Sequence, residues 1–327
     1  MSSDPVPAGQ GQARTWKESV YAGLRLLVQR FSRSAQQREV IALLNQIFAR
    51  QQEIITQQQH ERKWRSNLRD QVNAVLRRQI MSGTELAQPY WLSAQRFRLR
   101  SQNEEDGVTL ALLTAAGVTT RRFVEIGSGS SGGNSAVLAF ELGWTGLMVE
   151  ASKRKTDKLR QAIAFNPGVT VVQAFVTPAK FNGLLRAHGC KGEVDFMSID
   201  IDSTDYWLLD TLHVCSPRVL VMEYNALFGS DRALTLPAEG LPARRPKGYF
   251  GASLAALEKK AREKGYRLVH CDHYGVNAFF LRNDVAPQIV GQTPAAAFRP
   301  MLGADDEERV LDVFALIEEQ RLPLVEV

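Results

Sequence analysis

From about residue 83 onward, short runs rich in β-branched and aromatic residues alternate with longer stretches of helical periodicity. This alternation constrains the fold most, because parallel strands are joined by crossover helices that cover both faces of a sheet. Only residues 272–275 separate the last two runs, which predicts an antiparallel hairpin at the sheet edge. The predicted strands span residues 123–126, 146–149, 170–175, 194–199, 219–222, 267–271 and 276–281. We therefore expect an α/β fold with a doubly wound, seven-stranded, mostly parallel sheet whose last strand is antiparallel.

The first 90 residues have a different pattern. Residues 1–16 are rich in Ser, Pro, Gly and Gln, which predicts a flexible tail. Residues 17–90 repeat apolar positions every three or four residues, so an α-helical N-terminal region is expected before the sheet. We interpret it as a coiled-coil oligomerisation region or a membrane-proximal one, the alternative being a helical hairpin packed on the same chain. The α/β domain is assigned to residues 91–290 and a C-terminal helical extension to residues 291–327.

Charge is distributed unevenly along the chain. Residues 1–100 carry a net charge of +9 and residues 101–327 a net charge of −4, within the overall +5. A basic segment indicates an anionic neighbour, such as a membrane surface or a nucleic acid, or simply a solvated helix face. These readings stay open.

The cysteines and the apolar runs bear on the compartment. Cys190, Cys215 and Cys271 have no CxxC spacing, which indicates reduced thiols and disfavours a zinc cluster. The sequence has no signal-peptide pattern and no apolar run of about 18 residues. We expect a cytoplasmic protein, with peripheral membrane contact as an open alternative.

A glycine-rich turn follows the first predicted strand. Gly127, Gly129 and Gly132 satisfy the GxGxxG spacing, and a helical pattern follows them. Such glycines let the backbone pass close to a ligand, and the opening helix offers free N–H groups. Glu150 ends the next strand, 23 positions after Gly127, where a carboxylate can accept hydrogen bonds from two ribose hydroxyls. The pattern predicts an adenosine-type cofactor; the alternative is a tight strand-to-helix turn beside an exposed glutamate.

Glu125 lies just before this turn and separates two kinds of cofactor. A carboxylate at that position would repel a pyrophosphate, whereas it would attract a sulfonium group with its neighbouring amine. This favours a sulfonium cofactor over a dinucleotide.

Several sequence blocks, taken in order, resemble the class I S-adenosylmethionine (SAM)-dependent methyltransferases, and within them the FkbM-like group. The resemblance covers about residues 101–284 and leaves residues 1–90 outside it. It implies the seven-stranded sheet with a reversed last strand. The blocks are SQNEEDGV at 101–108, FVEIGSGSSGGNS at 123–135, GWTGLMVEAS at 143–152, DFMSIDIDSTDYW at 195–207, PRVLVMEYNA at 217–226 and GASLAALEKKAREKGYRLVHCDHYGVNAFFLRND at 251–284.

The resemblance also implies which residues bind SAM. Glu125, Gly127 and Gly129 would line the methionine part, and Glu150 would hold the ribose. The full set expected to contact the cofactor is Glu125, Gly127, Gly129, Gly132, Asn134, Ser135, Glu150, Ala151 and Asp200.

Acidic side chains follow the fourth and fifth predicted strands, where the methyl acceptor is expected. Oxygen ligands of this kind hold hard divalent cations such as Mg²⁺, which bind vicinal hydroxyls and lower the pKa of the attacking one. The arrangement looks like that of metal-dependent O-methyltransferases. The alternative is that the two aspartates contact SAM or cap the following helix, for which Asp205 is the expected N-cap. The predicted metal ligands are Asp200, Asp202, Glu223 and Asn225.

Two histidines lie at the junction between the last two predicted strands, on either side of residues 271–272. His273 lies in the turn and is the predicted general base beside Asp200, because imidazole titrates near neutral pH. His270 lies within the strand and is expected to be a packed residue. In the long segment 227–250, basic side chains are expected either to bind a phosphate or carboxylate of the acceptor or to stay solvated; they are Arg232, Arg244, Arg245 and Lys247.

Together these features predict a SAM-dependent O-methyltransferase acting on a hydroxyl of a sugar, glycan or other small molecule, assembled as a homo-oligomer through its N-terminal helices. Neither acidic strand end carries the Asn/Asp-Pro-Pro-Tyr pattern of adenine- or glutamine-methylating enzymes, so a nucleic-acid acceptor is disfavoured. A nicotinamide-dependent oxidoreductase and a non-catalytic nucleotide-binding scaffold remain the alternatives.

Overall fold

The computed structural model describes residues 90–242, 245–246, 248–301 and 313–327, and single helical positions between residues 43 and 56. The chain divides into two units, residues 1–66 and 67–327, and the α/β fold lies in the second. The predicted tail and N-terminal helices lie, apart from those single positions, outside the described residues, so their interpretation stays a prediction. None of the helices that the structure describes is both long and apolar enough to cross a bilayer.

The central sheet follows the predicted alternation of strands and helices. The strands of the described residues are β1 (Arg122–Ile126), β2 (Thr145–Glu150), β3 (Val169–Gln173), β4 (Gly192–Ile199), β5 (Cys215–Glu223), β6 (Leu234–Thr235), β7 (Tyr266–Cys271), β8 (Asn277–Arg282) and β9 (Val325–Glu326). Within these residues the main sheet has seven strands in the order β3-β2-β1-β4-β5-β8-β7. All neighbours are parallel except β8, which runs antiparallel to both β5 and β7. This confirms the doubly wound sheet with a reversed last strand.

Helices cover both faces of the sheet. The described helices are α1 (Tyr90–Ala94), α2 (Glu105–Ala116), α3 (Ala136–Phe140), α4 (Lys153–Ala162), α5 (Pro178–Ala187), α6 (Asp205–Thr211), α7 (Leu254–Glu263), α8 (Pro294–Ala297) and α9 (Val313–Glu319). In the register of β1 on β4, Phe123 pairs with Phe196 in one hydrophobic layer and Val124 with Met197 in the other. Because both faces are buried, these strands read as continuous apolar runs rather than as alternating ones.

The turn between β7 and β8 is held by one buried aspartate. The Asp272 carboxylate accepts hydrogen bonds from the backbone N–H groups of Tyr274 (2.8 Å), Val276 (3.2 Å) and Asn277 (2.6 Å). Three donors on one side chain fix the turn, so the start of β8 lies at a defined place beside β5. The predicted hairpin at the sheet edge is therefore confirmed.

A second, two-stranded sheet joins the long segment after β5 to the end of the chain. Leu234 and Thr235 of β6 pair antiparallel with Glu326 and Val325 of β9. The predicted C-terminal helical extension thus contains helices α8 and α9 but also a strand. Two-residue strands leave too short a pattern for their period to be recognised in a sequence.

Candidate functional site

A cavity of about 1030 Å³ opens where the carboxyl ends of β1, β2, β4 and β5 meet. The glycine-rich turn after β1 forms its floor, and residues 174–178, 200–204 and 238–242 form its walls. In open α/β sheets ligands bind at this edge. Small-molecule sites usually measure about 300–1,000 Å³, so the cavity has room for more than a nucleoside alone.

Gly127 lets β1 end tightly against its neighbour. Its φ is +94°, and a Cβ on it would lie 1.6 Å from the carbonyl oxygen of Asp200. The Gly127 N–H donates to the carbonyl oxygen of Val149 at 2.9 Å. Only glycine fits at this junction. Both Gly127 and Gly129 line the cavity, and their contact with a cofactor stays a prediction.

Glu125 lies beneath the turn, outside the residues that line the cavity. It is fully buried, and its Oε1 and Oε2 accept hydrogen bonds from the backbone N–H groups of Asn134 (3.1 Å) and Ser135 (2.9 Å). Burial, partly opposed by these hydrogen bonds, raises the pKa of Glu125 to about 7. The prediction that Glu125 contacts the methionine part of SAM is wrong in this structure, because the carboxylate binds the residues that open the next helix.

The rest of the glycine-rich turn divides between cavity and core. A Cβ on Gly132 would meet the side chains of Phe140 and Met148 at about 3.2–3.3 Å, so Gly132 faces the core. The Ser135 hydroxyl donates to the carbonyl oxygen of Gly132 at 3.2 Å. The structure therefore contradicts the prediction that Gly132 and Ser135 contact the cofactor. Asn134 does line the cavity.

Glu150 ends β2 on the cavity wall, with 8 % of its surface exposed. Its Oε2 accepts from the Gly129 N–H at 3.0 Å, and its Oε1 accepts from the Ser152 N–H at 2.7 Å. Two backbone donors hold the carboxylate in one orientation, and each oxygen keeps capacity for a further donor. The neighbouring Ala151 also lines the cavity.

Three carboxylates converge on the opposite side of the cavity. Asp200 and Asp202 follow β4 and Glu223 ends β5, and one oxygen of each lies within 4.8 Å of the others. Asp202 has a left-handed backbone, with φ +54°. The Oε2 atom of Glu223 is buried and has no hydrogen-bond partner among the described residues. Burial and the neighbouring carboxylates raise the pKa of Asp200 and of Glu223 well above the usual range.

Asp205 holds the loop that carries this cluster. It is the first residue of α6 rather than the predicted N-cap, which is Thr204. Its buried carboxylate accepts from the backbone N–H groups of Ile201 and Ser203, both at 2.9 Å. Burial, partly opposed by these hydrogen bonds, raises the pKa of Asp205 to about 6. Asp205 thus fixes the positions of Asp200 and Asp202 without lining the cavity.

Asn225 is not part of the carboxylate cluster, so its prediction as a metal ligand is wrong. Its side chain is fully buried, and its Nδ2 donates to the carbonyl oxygens of Gly248 (2.7 Å) and Phe250 (2.9 Å). Its Oδ1 accepts from the Leu227 N–H at 3.0 Å. The amide therefore folds the long segment after β5 back onto itself.

His273 is exposed and lies outside the residues that line the cavity, so its prediction as a general base is contradicted. Its ring contacts Tyr274 edge-on, with centroids 5.6 Å apart. The turn that Asp272 holds points His273 to solvent. His270 is packed inside β7, as predicted, and burial lowers its pKa to about 3, which keeps the ring neutral.

The basic side chains of segment 227–250 do not act as one group. Arg232 forms an exposed ion pair with Glu326 at 3.0 Å, beside the small second sheet. Arg245 is exposed and lines the cavity. Arg244 and Lys247 lie outside the described residues.

Three cavity residues of chemical interest, one aromatic and two amides, are absent from the predicted site. Phe175 is 77 % exposed and lines the cavity, two positions beyond the end of β3, although the predicted strand extends to residue 175. Asn103 and Asn277 also line the cavity. Both lie in sequence blocks quoted for the resemblance, and for Asn277 the available signal was a lone amide at the start of an apolar strand.

Comparisons with known proteins concern the fold. No protein-family model matches the sequence, and no curated protein matches it significantly. Solved structures similar to this chain include the methyltransferase domain of METTL16, with 16 % identity over 53 % of this chain and 63 % of that one, and a TM-score of 0.33. The N-terminal domain of EvdMO1 with SAH bound has 16 % identity over 55 % of this chain and 80 % of that one, with a TM-score of 0.37. A SAM-dependent methyltransferase from Aquifex aeolicus has 11 % identity over 53 % and 89 %, with a TM-score of 0.34.

The chain spans less than two thirds of the METTL16 domain. At these identities and TM-scores the similarities establish nothing about the activity or substrate of this chain, and its fold is defined by the strand order of the sheet. The chemistry follows from the side chains in the cavity.

Proposed function

We propose that the protein is a SAM-dependent O-methyltransferase of the FkbM-like group, acting on a hydroxyl of a sugar, glycan or other small molecule. The observation that carries the proposal is the cavity itself. It joins a glycine-rich turn and an oriented carboxylate, Glu150, to a cluster of carboxylates about the ends of β4 and β5.

The charge of the cavity favours a sulfonium cofactor over a dinucleotide. Glu150, Asp200, Asp202 and Glu223 all line it, and a pyrophosphate among these carboxylates would be repelled. The first N–H of the turn, on Gly127, already donates to Val149. A nicotinamide cofactor would thus lack that backbone donor. Lys155 and Arg245 also line the cavity, but the carboxylates outnumber these two cations among its described lining residues.

In this proposal Glu150 accepts hydrogen bonds from the two ribose hydroxyls of SAM. Gly127, Gly129 and Asn134 contact the cofactor along the floor, and Ala151 contacts it beside the ribose. Asp200 faces the sulfonium side, where a negative charge stabilises the cation. The acceptor then enters between residues 238–242 and the end of β5.

The carboxylate cluster suits an acceptor hydroxyl, because a methyl transfer to oxygen requires removal of a proton and exclusion of water. Asp200 and Glu223 are the groups placed to accept that proton. Arg245 and Phe175 lie on the cavity surface and would bind an anionic group or a sugar face of the acceptor.

We further propose that the cluster holds a divalent cation such as Mg²⁺. The donor set fits one: three carboxylate oxygens lie close together, and the buried Oε2 of Glu223 lacks a partner among the described residues. Asp200, Asp202 and Glu223 would be the ligands. A bound cation would lower the pKa of an acceptor hydroxyl.

Assembly through residues 17–90, contact with a membrane and a cytoplasmic location are proposals that rest on the sequence pattern. Crosslinking and sedimentation of the full chain would test the oligomer, and flotation with anionic vesicles would test the membrane contact.

The experiment that tests the function is a turnover assay with SAM and a panel of sugars and lipid-linked glycans, with and without EDTA. We expect methyl transfer to a hydroxyl, lost with EDTA and restored by Mg²⁺. Turnover that EDTA leaves unchanged would contradict the metal and leave the methyltransferase standing. A protein that binds SAM without transferring its methyl group to any acceptor would favour the scaffold.

A further inference from the structure

The segment ahead of α2, residues 95–104, is held firmly against the start of that helix; we call it the entry segment. The Oδ2 atom of Asp106 accepts from the backbone N–H groups of Leu99 (2.6 Å), Arg100 (2.6 Å) and Ser101 (3.0 Å). A Cβ on Gly107 would lie 1.9 Å from a carbonyl oxygen of the segment, so only glycine allows this approach. The block SQNEEDGV therefore encodes a built junction.

Glu105 links the entry segment to the reversed strand β8. It is fully buried, and its Oε2 accepts from the Asn103 N–H at 2.8 Å. Its Oε1 accepts from the side-chain Nδ2 of Asn103 and from that of Asn277, both at 3.0 Å. One carboxylate thus fixes two amide side chains that are far apart in the sequence.

Those amides face the cavity. Asn103, Asn134 and Asn277 all line it. The Nδ2 of Asn134 donates to the Oδ1 of Asn277 at 3.3 Å and to the Ser198 hydroxyl at 3.1 Å, so the set is connected. Asn277 pairs with Glu223 in the sheet, and Asn134 follows the glycine-rich turn, so the set connects that turn with the carboxylate cluster. A wall of amides supplies both N–H donors and C=O acceptors, the combination that a group carrying an amine and a carboxylate requires.

We propose that Glu105 is a positioning residue for the cofactor: it holds Asn103 and Asn277 in place to bind the amino-acid end of SAM. This inference rests on the proposed function. Amides that are oriented before binding lose less conformational entropy when the cofactor arrives. Without Glu105 both amides would have to be ordered by the cofactor itself.

The test is calorimetry with two probes, S-adenosylhomocysteine (SAH) and methylthioadenosine, which lacks the amino-acid end. For Glu105→Gln we expect SAH affinity to fall by about tenfold and methylthioadenosine affinity to change by less than about twofold. Glu104→Gln is the matched control. It makes the same chemical change one residue away, on a side chain that pairs with Arg96 and does not line the cavity, and it should leave both affinities unchanged.

A reciprocal exchange tests the link between Glu105 and Asn277 directly. Asn277→Asp places two carboxylates against each other and should weaken SAH binding, whereas Glu105→Gln combined with Asn277→Asp restores an amide–carboxylate pair with its roles reversed. We expect the double variant to bind SAH within about threefold of the wild type. Losses that simply add would overturn the proposal.

The other outcomes separate the inference from the function on which it rests. Wild-type protein that binds no SAH overturns both. Equal SAH affinity in Glu105→Gln and the wild type, or an equal loss for both probes, overturns the positioning role alone. If Glu105→Gln fails to fold, Asn103→Ala serves instead, because it removes one cavity amide and leaves the buried carboxylate in place; unchanged SAH affinity in that variant overturns the proposal.

Discussion

The two sides of the cavity use the same functional group in opposite ways. On one side the Glu150 carboxylate receives two backbone hydrogen bonds and is held in a single orientation. On the other, Asp200, Asp202 and Glu223 crowd together, and one buried oxygen has no partner among the described residues. The first arrangement is complete without a ligand, whereas the second gains most from a proton or a cation.

This difference separates binding from chemistry. A carboxylate that is already satisfied adds affinity for ribose hydroxyls at little cost in reorganisation. Carboxylates that repel one another store unfavourable electrostatic energy, which a cation or a reacting hydroxyl can relieve.

The largest effect is expected on the crowded side. Asp200→Asn should lower turnover by about 100-fold or more, because it removes both a proton acceptor and a proposed ligand. SAH affinity, measured by calorimetry, should change by less than about threefold. A loss of SAH affinity as large as the loss of turnover would contradict the separation of cofactor binding from chemistry between the two sides of the cavity.

Removing one charge from the carboxylate cluster should change the stability of the protein as well as its turnover. Glu223→Gln removes one of the mutually repelling charges, so in the presence of EDTA the free energy of unfolding should rise by about 1 kcal/mol while turnover falls. Denaturant titration at pH 8 measures the change. A lower unfolding free energy for Glu223→Gln would show that repulsion among the carboxylates does not destabilise the folded protein.

On the satisfied side, Glu150→Ala should weaken SAH binding by about 1–3 kcal/mol through the loss of charge-assisted hydrogen bonds. The acceptor KM should be little changed. Glu239→Ala is the matched control, since Glu239 also lines the cavity but lies in the wall that the acceptor is proposed to meet. An Ala variant at position 150 that binds SAH normally would show that the ribose lies elsewhere.

Glu125 extends the comparison to a carboxylate with no access to the cavity. Its pKa is raised to about 7, so the folded chain binds this proton more tightly than the unfolded chain. The resulting stability is present below about pH 4.5 and is lost as the pH rises through 7. Glu125→Gln should therefore reduce the decline in unfolding free energy between pH 5 and 7 by about 2 kcal/mol.

Denaturant titrations across that pH range check the prediction. Glu263→Gln is the control. Lys260 holds the pKa of the exposed Glu263 carboxyl below its usual range, so removing this carboxyl does not reduce the decline in unfolding free energy between pH 5 and 7. Parallel pH profiles of the unfolding free energy for the wild type and Glu125→Gln would contradict a raised pKa at Glu125.

The smallest effect concerns His273. Because its ring is exposed and outside the cavity, His273→Ala should change turnover by less than about twofold at every pH tested. A pH–rate profile checks this. Loss of an ionisation step from the pH–rate profile of His273→Ala would show that His273 takes part in the reaction.

The sequence was sufficient to predict the sheet, because strand period, crossover length and a short final hairpin are local properties. It also placed Glu150 and Asp200 correctly at strand ends that meet at one edge of the sheet. What it lacked was the direction of side chains after a strand ends. Glu125 precedes the turn by the expected spacing, yet turns inward to bind N–H groups nine and ten residues later.

The positions of two asparagine side chains also could not be predicted from the sequence. Asn225 was predicted from its position beside Glu223, but long-range backbone partners at residues 248 and 250 hold it away from the cluster. Asn277 donates to Glu105 across 172 residues, and no local pattern encodes such a contact. Pairings between distant segments require the folded chain.

The most direct test of the central claim is a crystal structure of the full chain soaked with SAH. We expect electron density in the cavity, with the ribose hydroxyls on the Glu150 carboxylate and the sulfur towards Asp200. An empty cavity at saturating SAH, or SAH bound with its ribose away from Glu150, would contradict it.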